Sequence, residues 1–137
     1  MTATKLNKVS LEDYIRIEQE SNTKYEYHDG TIYAMAGGSD NHTELLGNIF
    51  FELRSALKQK GKPCRAFNSE MKLHIEEFNK YLYPDAMVVC GEVQKPNENT
   101  SGITNPLVIV EVLSDSTEAY DRGDKFFFYK HIPIFKV

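Results

Sequence analysis

Residues 81–90, YLYPDAMVVC, decide how the chain is read. Tyr81, Leu82, Ala86, Met87, Val88 and Val89 make a buried or half-buried strand, and Pro84 and Asp85 interrupt it. A carboxylate at the mouth of so apolar a segment has to be solvated, paired or bound to something. Where the rest of the chain places a partner for Asp85 is therefore the first question.

On the N-terminal side, residues 10–21 (SLEDYIRIEQES) predict a helix, with Ser10 as N-cap and Asp13 as the reciprocal capping residue. In KYEYHDGTIYAMAGG, residues 24–38, the Asp29-Gly30 pair marks a tight hairpin between two short aromatic and β-branched segments. A second helix is predicted over 40–60, capped by Ser39 or Asp40. Its Leu45, Leu46, Ile49, Phe50, Leu53 and Leu57 recur at intervals of three and four, and Gly61 stops it. Residues 64–75 read as strand, and EEFNK, 76–80, as a hairpin connection into the opening stretch.

On the C-terminal side, residues 91–106 carry turn formers without periodicity and read as a surface loop. LVIVEVL, 107–113, is a continuous β-branched run and predicts a central strand covered on both faces. A helix is predicted over 119–130, AYDRGDKFFFYK, with Gly123 weakening its middle. The order helix, hairpin, helix, three strands, helix predicts one α/β domain over 1–137 with a mixed sheet. The final HIPIFKV reads as the start of a further strand, so the domain is expected to lack its last strands.

Composition adds bounds. A chain of 137 residues, 41% hydrophobic and 26% charged, suits one soluble domain. No apolar run approaches the about eighteen residues of a membrane span, and MTATKLNKVSLEDY lacks a secretory apolar core, so a cytoplasmic protein is expected. Cys64 and Cys90 are then expected as free buried thiols. His28, His42, His74 and His131 are scattered, with no close cysteine pair to suggest zinc. A net charge of −4 does not favour nucleic acid, yet a local cleft can still be positive or metal-filled.

Glu111 lies in the most hydrophobic strand of the chain, so it too must be paired, neutralised or cation-bound. Two carboxylates at the ends of adjacent strands, Asp85 and Glu111, are an oxygen-ligand pair suited to magnesium. The plain alternative is that each caps a loop or pairs with a Lys or Arg. Lys125, fourteen positions beyond Glu111, is placed to reach the same cleft from the predicted helix. There it would orient a water or offset charge on a phosphoryl oxygen, the alternative being a surface pair with Asp121. Glu70 and His42 are weaker candidates, read otherwise as a strand-face acid and a capping or packing histidine. The stripe Phe126, Phe127, Phe128 and Tyr129 reads as core packing.

YPDAMVVC, PLVIVEVLSDSTEAYDRGDKFFFYKHIP and YEYHDGTIYAMAGGSDNH together resemble the Uma-type restriction endonuclease family, assigned to the PD-(D/E)XK nuclease superfamily. The resemblance runs from about residue 11 to the end. It implies a restriction-endonuclease-like fold, a mixed central sheet flanked by helices. It also implies a metal-dependent DNA endonuclease using magnesium, with manganese as a substitute, and a homodimer would allow two cuts on opposite strands. Carried over by position, Asp85 and Glu111 match the motif acids and metal ligands, Lys125 the catalytic lysine moved onto a helix, and Glu26 a further recurrent acid. The usual lysine position, two beyond the glutamate, holds Leu113, and Asp115 stands where the family commonly has proline. The second reading is a catalytically degenerate nuclease fold used for nucleic-acid binding or protein assembly. A small-molecule enzyme lacks support, since no glycine-rich phosphate loop or nucleophile elbow is present.

Overall fold

The computed structural model describes residues 5–6, 8–35, 39–61, 63–97, 101–113, 124–130 and 132. After the short strand β1 (Lys5–Leu6) comes helix α1 (Leu11–Ser21). Ser10 caps its N-terminus as the sequence predicts, Oγ accepting the Asp13 N–H at 3.1 Å, and the Asp13 carboxylate accepts from Arg16 at 2.9 Å. Strands β2 (Tyr25–His28) and β3 (Thr31–Ala34) form the predicted hairpin. Its turn needs positive φ at both central positions, and Asp29 (47°) and Gly30 (97°) provide it. Helix α2 (Asp40–Lys60) runs between the Ser39 cap and Gly61, whose φ of 62° ends it.

Five short strands follow: β4 (Cys64–Phe67), β5 (Leu73–Ile75), β6 (Lys80–Leu82), β7 (Ala86–Cys90) and β8 (Val108–Val110). A single strand over 64–75 is not what forms. The Asn68 side chain accepts the Glu70 N–H at 3.0 Å and its carbonyl accepts the Met71 N–H, closing a turn that splits the segment. Its two pieces enter different sheets. The larger has the order β1-β3-β2-β6-β5, the smaller β4-β7-β8. Neighbouring strands are antiparallel, and a parallel bridge joins Leu73 to Ile103.

The place of 107–113 also differs from expectation. Among the described strands β8 is at the edge of the smaller sheet, with Leu107 50% and Val108 41% exposed. The covered central strand is β7, where Met87 and Val89 are fully buried. A continuous apolar run signals burial but does not rank two neighbouring strands that both carry one. Of the helix predicted over 119–130, a π-type turn at Asp124–Lys125 leads into α3 (Phe126–Tyr129), and positions 119–123 lie outside the described residues, as does the final strand predicted from Ile134.

Period-two alternation assigns the two faces of the larger sheet. Tyr27 and Tyr81 point to α1, where they pack with Tyr14 and Ile32. Leu73, Ile75 and Leu82 face the smaller sheet and meet Met87, Val89 and Tyr129. Glu18 ties α1 to this sheet: it pairs with Lys72, accepts the Tyr83 hydroxyl at 2.7 Å and accepts the Tyr25 N–H at 2.9 Å. No helix among the described residues is long and apolar enough to cross a membrane.

The cysteines are not free thiols. Cys64 and Cys90 are directly opposed on β4 and β7, with Cα atoms 4.0 Å apart, and form a disulfide. Gly91 N–H donates to the Pro63 carbonyl one step along, so Cys64 and Cys90 occupy a non-hydrogen-bonded pair, where side chains approach closest.

Candidate functional site

Pro84 has no N–H to give to a ladder, so β6 ends before it and β7 begins just after it. Asp85 is left at the start of β7. Ala86 pairs with Val110 of β8, and one further step of that register sets Asp85 opposite Glu111. The Asp85 carboxylate does not point into open space: Oδ2 accepts the Val112 N–H at 2.6 Å. Its other oxygen lies 3.9 Å from His42 Nε2, near the first turn of α2. This answers the question raised by YLYPDAMVVC: the carboxylate fastens the chain just beyond β8 and faces a histidine.

Glu111 is held from α3. One oxygen, Oε1, receives both the Lys125 ammonium at 3.2 Å and the Tyr129 hydroxyl at 2.5 Å. Lys125 and Tyr129 are four apart, one helical turn, and so present both donors from one side. Lys125 is only 5% exposed, and it also stands 3.8 Å from Glu26 Oε2. A buried ammonium between two carboxylates is compensated where a lone one would not be.

Glu26 is 1% exposed, although it lies in a hairpin strand. Alternation explains it: Tyr25 and Tyr27 turn to α1, so Glu26 and His28 turn inward to Lys125 and Lys80. His28 Nε2 lies 3.3 Å from Glu26 Oε1, and its Nδ1 lies 2.9 Å from Lys80 Nζ. An ammonium can only donate, so Nδ1 accepts and Nε2 carries the proton toward Glu26. Burial raises the Glu26 carboxyl. The His28 hydrogen bond and the neighbouring Lys125 charge, with the Tyr83 backbone, outweigh it and hold the group below its ordinary value. Burial also lowers Lys80, against the raising effect of Glu26, Asp29 and Asp124.

Three of the four predicted positions, Glu26, Glu111 and Lys125, thus meet directly, and Asp85 adjoins them through the strand pair. Tyr129, His28 and Lys80 are the participants the sequence reading missed. Tyr129 packs in the core as its stripe predicts, and its hydroxyl reaches Glu111 besides; the four-residue step from Lys125 is the signal for that second role. Glu70 does not join them: it sits in a turn, is paired with Lys24 at 3.2 Å and is largely exposed.

The expectation of magnesium or manganese between Asp85 and Glu111 is corrected by this geometry. Among the described residues, no group of three or more His, Cys, Asp or Glu side chains is placed to hold a metal ion. Glu111 and Glu26 share a lysine, and Asp85 accepts a backbone N–H. These donor sets do not fit a hard divalent cation, which takes several oxygen ligands at once. The expected magnesium-dependent endonuclease is overturned on the same ground, among the described residues.

The architecture itself is that of the PD-(D/E)XK-like nucleases, a restriction-endonuclease-like α/β fold. A crystal structure described as a putative nuclease belonging to DUF820, from Anabaena variabilis ATCC 29413, matches with a TM-score of 0.66 and 19% identity, covering 90% of this chain and 69% of that one. Residues 11–134 match the model of the Uma2 family, described as "Putative restriction endonuclease". This chain belongs to the Uma2 family. Among its relatives are two uncharacterised proteins of Synechocystis sp. (strain PCC 6803). One, slr1290, is 42% identical over 93% of this chain and 65% of its own length. The other, sll1609, is 36% identical over 88% of this chain and 67% of its own length. The chain therefore spans about two thirds of the length of these relatives.

Proposed function

We propose that this chain is a catalytically degenerate nuclease-fold protein that holds nucleic acid without cutting it. The observation that carries this reading is the capture of the motif carboxylates by the protein itself. Glu111 Oε1 takes both Lys125 and Tyr129, and the same lysine reaches Glu26. An ammonium placed between these acids provides the charge compensation that a metal would otherwise supply. In this reading Asp85, Glu111, Lys125 and Glu26 position α3 and the strand ends; they are not a hydrolytic apparatus. Membership of a restriction-endonuclease family supports nucleic acid as the partner class, and a cytoplasmic location is proposed with it.

The test is to incubate the chain with single- and double-stranded DNA, with and without magnesium, beside Asp85→Ala. The expected outcome is retention of nucleic acid in a mobility shift with no products at any metal concentration. Metal-dependent cleavage that disappears in a folded Asp85→Ala variant would overturn the proposal.

A further inference from the structure

Helix α2 is the longest element of the protein, 21 residues, yet none of its residues is buried. Between its C-terminal half and β4 lies a groove of about 1030 Å³. Arg54 and Lys58 line it from the helix and Arg65 from the strand, all three exposed. No carboxylate is among the described residues that line it, although the whole chain carries a net charge of −4. The cations alternate with aromatic rings. The Arg54 guanidinium lies 5.8 Å from the Phe50 ring centroid and that of Arg65 lies 5.1 Å from Phe67. Phe51, also in the lining, is 66% exposed.

We propose that this groove binds a single-stranded stretch of nucleic acid, its phosphates on Arg54, Lys58 and Arg65 and its bases against the exposed Phe51. Cations interleaved with aromatic faces are what such a strand requires, and every base offers a π-face. A duplex would use the cations alone, because its base faces are already stacked inside it. A second copy of the chain would have to bring apolar or acidic surface to the same place, and such a contact would use the cations without needing bare aromatic faces between them. The groove also leads toward the candidate cluster: Phe67 pairs with Met87, two residues beyond Asp85, and His42 near the start of α2 faces Asp85. The inference rests on the nucleic-acid reading above and adds the location and the strandedness.

The experiment is fluorescence anisotropy of labelled oligothymidylate, and of the matching duplex, against the whole chain across a salt series. Three variants accompany it: Phe51→Ala, the triple Arg54→Gln/Lys58→Gln/Arg65→Gln, and Arg16→Gln, an exposed cation on α1 that serves as control. Circular dichroism melts check that each is folded. The single strand is expected to bind more tightly than the duplex, with Phe51→Ala weakening it about tenfold. The triple variant should flatten the salt slope by about two, and Arg16→Gln should change nothing. Unaltered binding by both folded groove variants would overturn the groove while leaving nucleic-acid binding in place. Equal affinity for duplex, insensitive to Phe51→Ala, would overturn the single-strand assignment. No binding to either probe overturns this inference and the proposed function together. Self-association that Phe51→Ala abolishes, without oligonucleotide binding, would make the groove a contact between copies and overturn it likewise.

Discussion

Glu26 carries a pH dependence that can be stated with its sign. Its folded carboxyl titrates below the ordinary value of 4.5, because His28 and Lys125 outweigh the effect of burial. A depressed carboxyl stabilises fully above its unfolded pKa, and that contribution is lost as the pH falls through the lower folded value. Glu26→Gln should therefore cost about 1–3 kcal/mol at neutral pH, having removed a charged partner from a buried lysine. The difference in melting temperature between variant and parent should shrink as the pH drops below 4.5. A difference that stays constant across the acid range would show that the charge of Glu26 does not matter. At this scale the sequence was informative about who takes part and silent about how. A carboxylate in an apolar strand announces that it has a partner. It does not announce whether that partner is a metal, a lysine such as Lys125 or a peptide N–H such as that of Val112, since each satisfies the same electrostatic demand.

Cap and turn chemistry at the level of elements was legible because it is local. Ser10, Ser39, Gly61 and Asp29-Gly30 act on neighbours within a few residues, and each caps or turns the chain at its predicted place. Asn68 acts by the same rule, its side chain making the turn that separates β4 from β5. Sheet assignment was not legible, because whether β7 or β8 takes the middle depends on pairing between distant segments. The cysteine pair has the same origin: only the β4–β7 register, across a separation of 26 residues, brings Cys64 to Cys90. Closing a loop of that size constrains the unfolded chain by about 3 kcal/mol. Thiol titration of the oxidised protein should find no free cysteine, and reductant should lower the urea midpoint by a corresponding amount. A reducing cytoplasm would hold the pair as dithiol, so an unchanged midpoint on reduction would mean that the strand pairing stands without the crosslink.

Across the whole molecule, the larger sheet is a partition. Its tyrosine face packs on α1 and its aliphatic face on the smaller sheet, and β6 contributes to both, Tyr81 to one and Leu82 to the other. The nuclease architecture was recognisable from quoted motifs spread along most of the chain, whereas the groove beside α2 was not. Arg54, Lys58 and Arg65 look like ordinary surface charges until the helix and β4 are set side by side.

That partition leaves a signature in amide exchange. β6 is bonded on one edge to β2 and on the other to β5, with a packed layer over each face. Its amides can reach deuterium only when both layers come away, so partial openings that release α1 alone, or the smaller sheet alone, leave them protected. The protection of Tyr81 and Leu82 should equal the free energy of global unfolding. The strand would then act as the slowest clock in the protein, against which every looser segment can be timed.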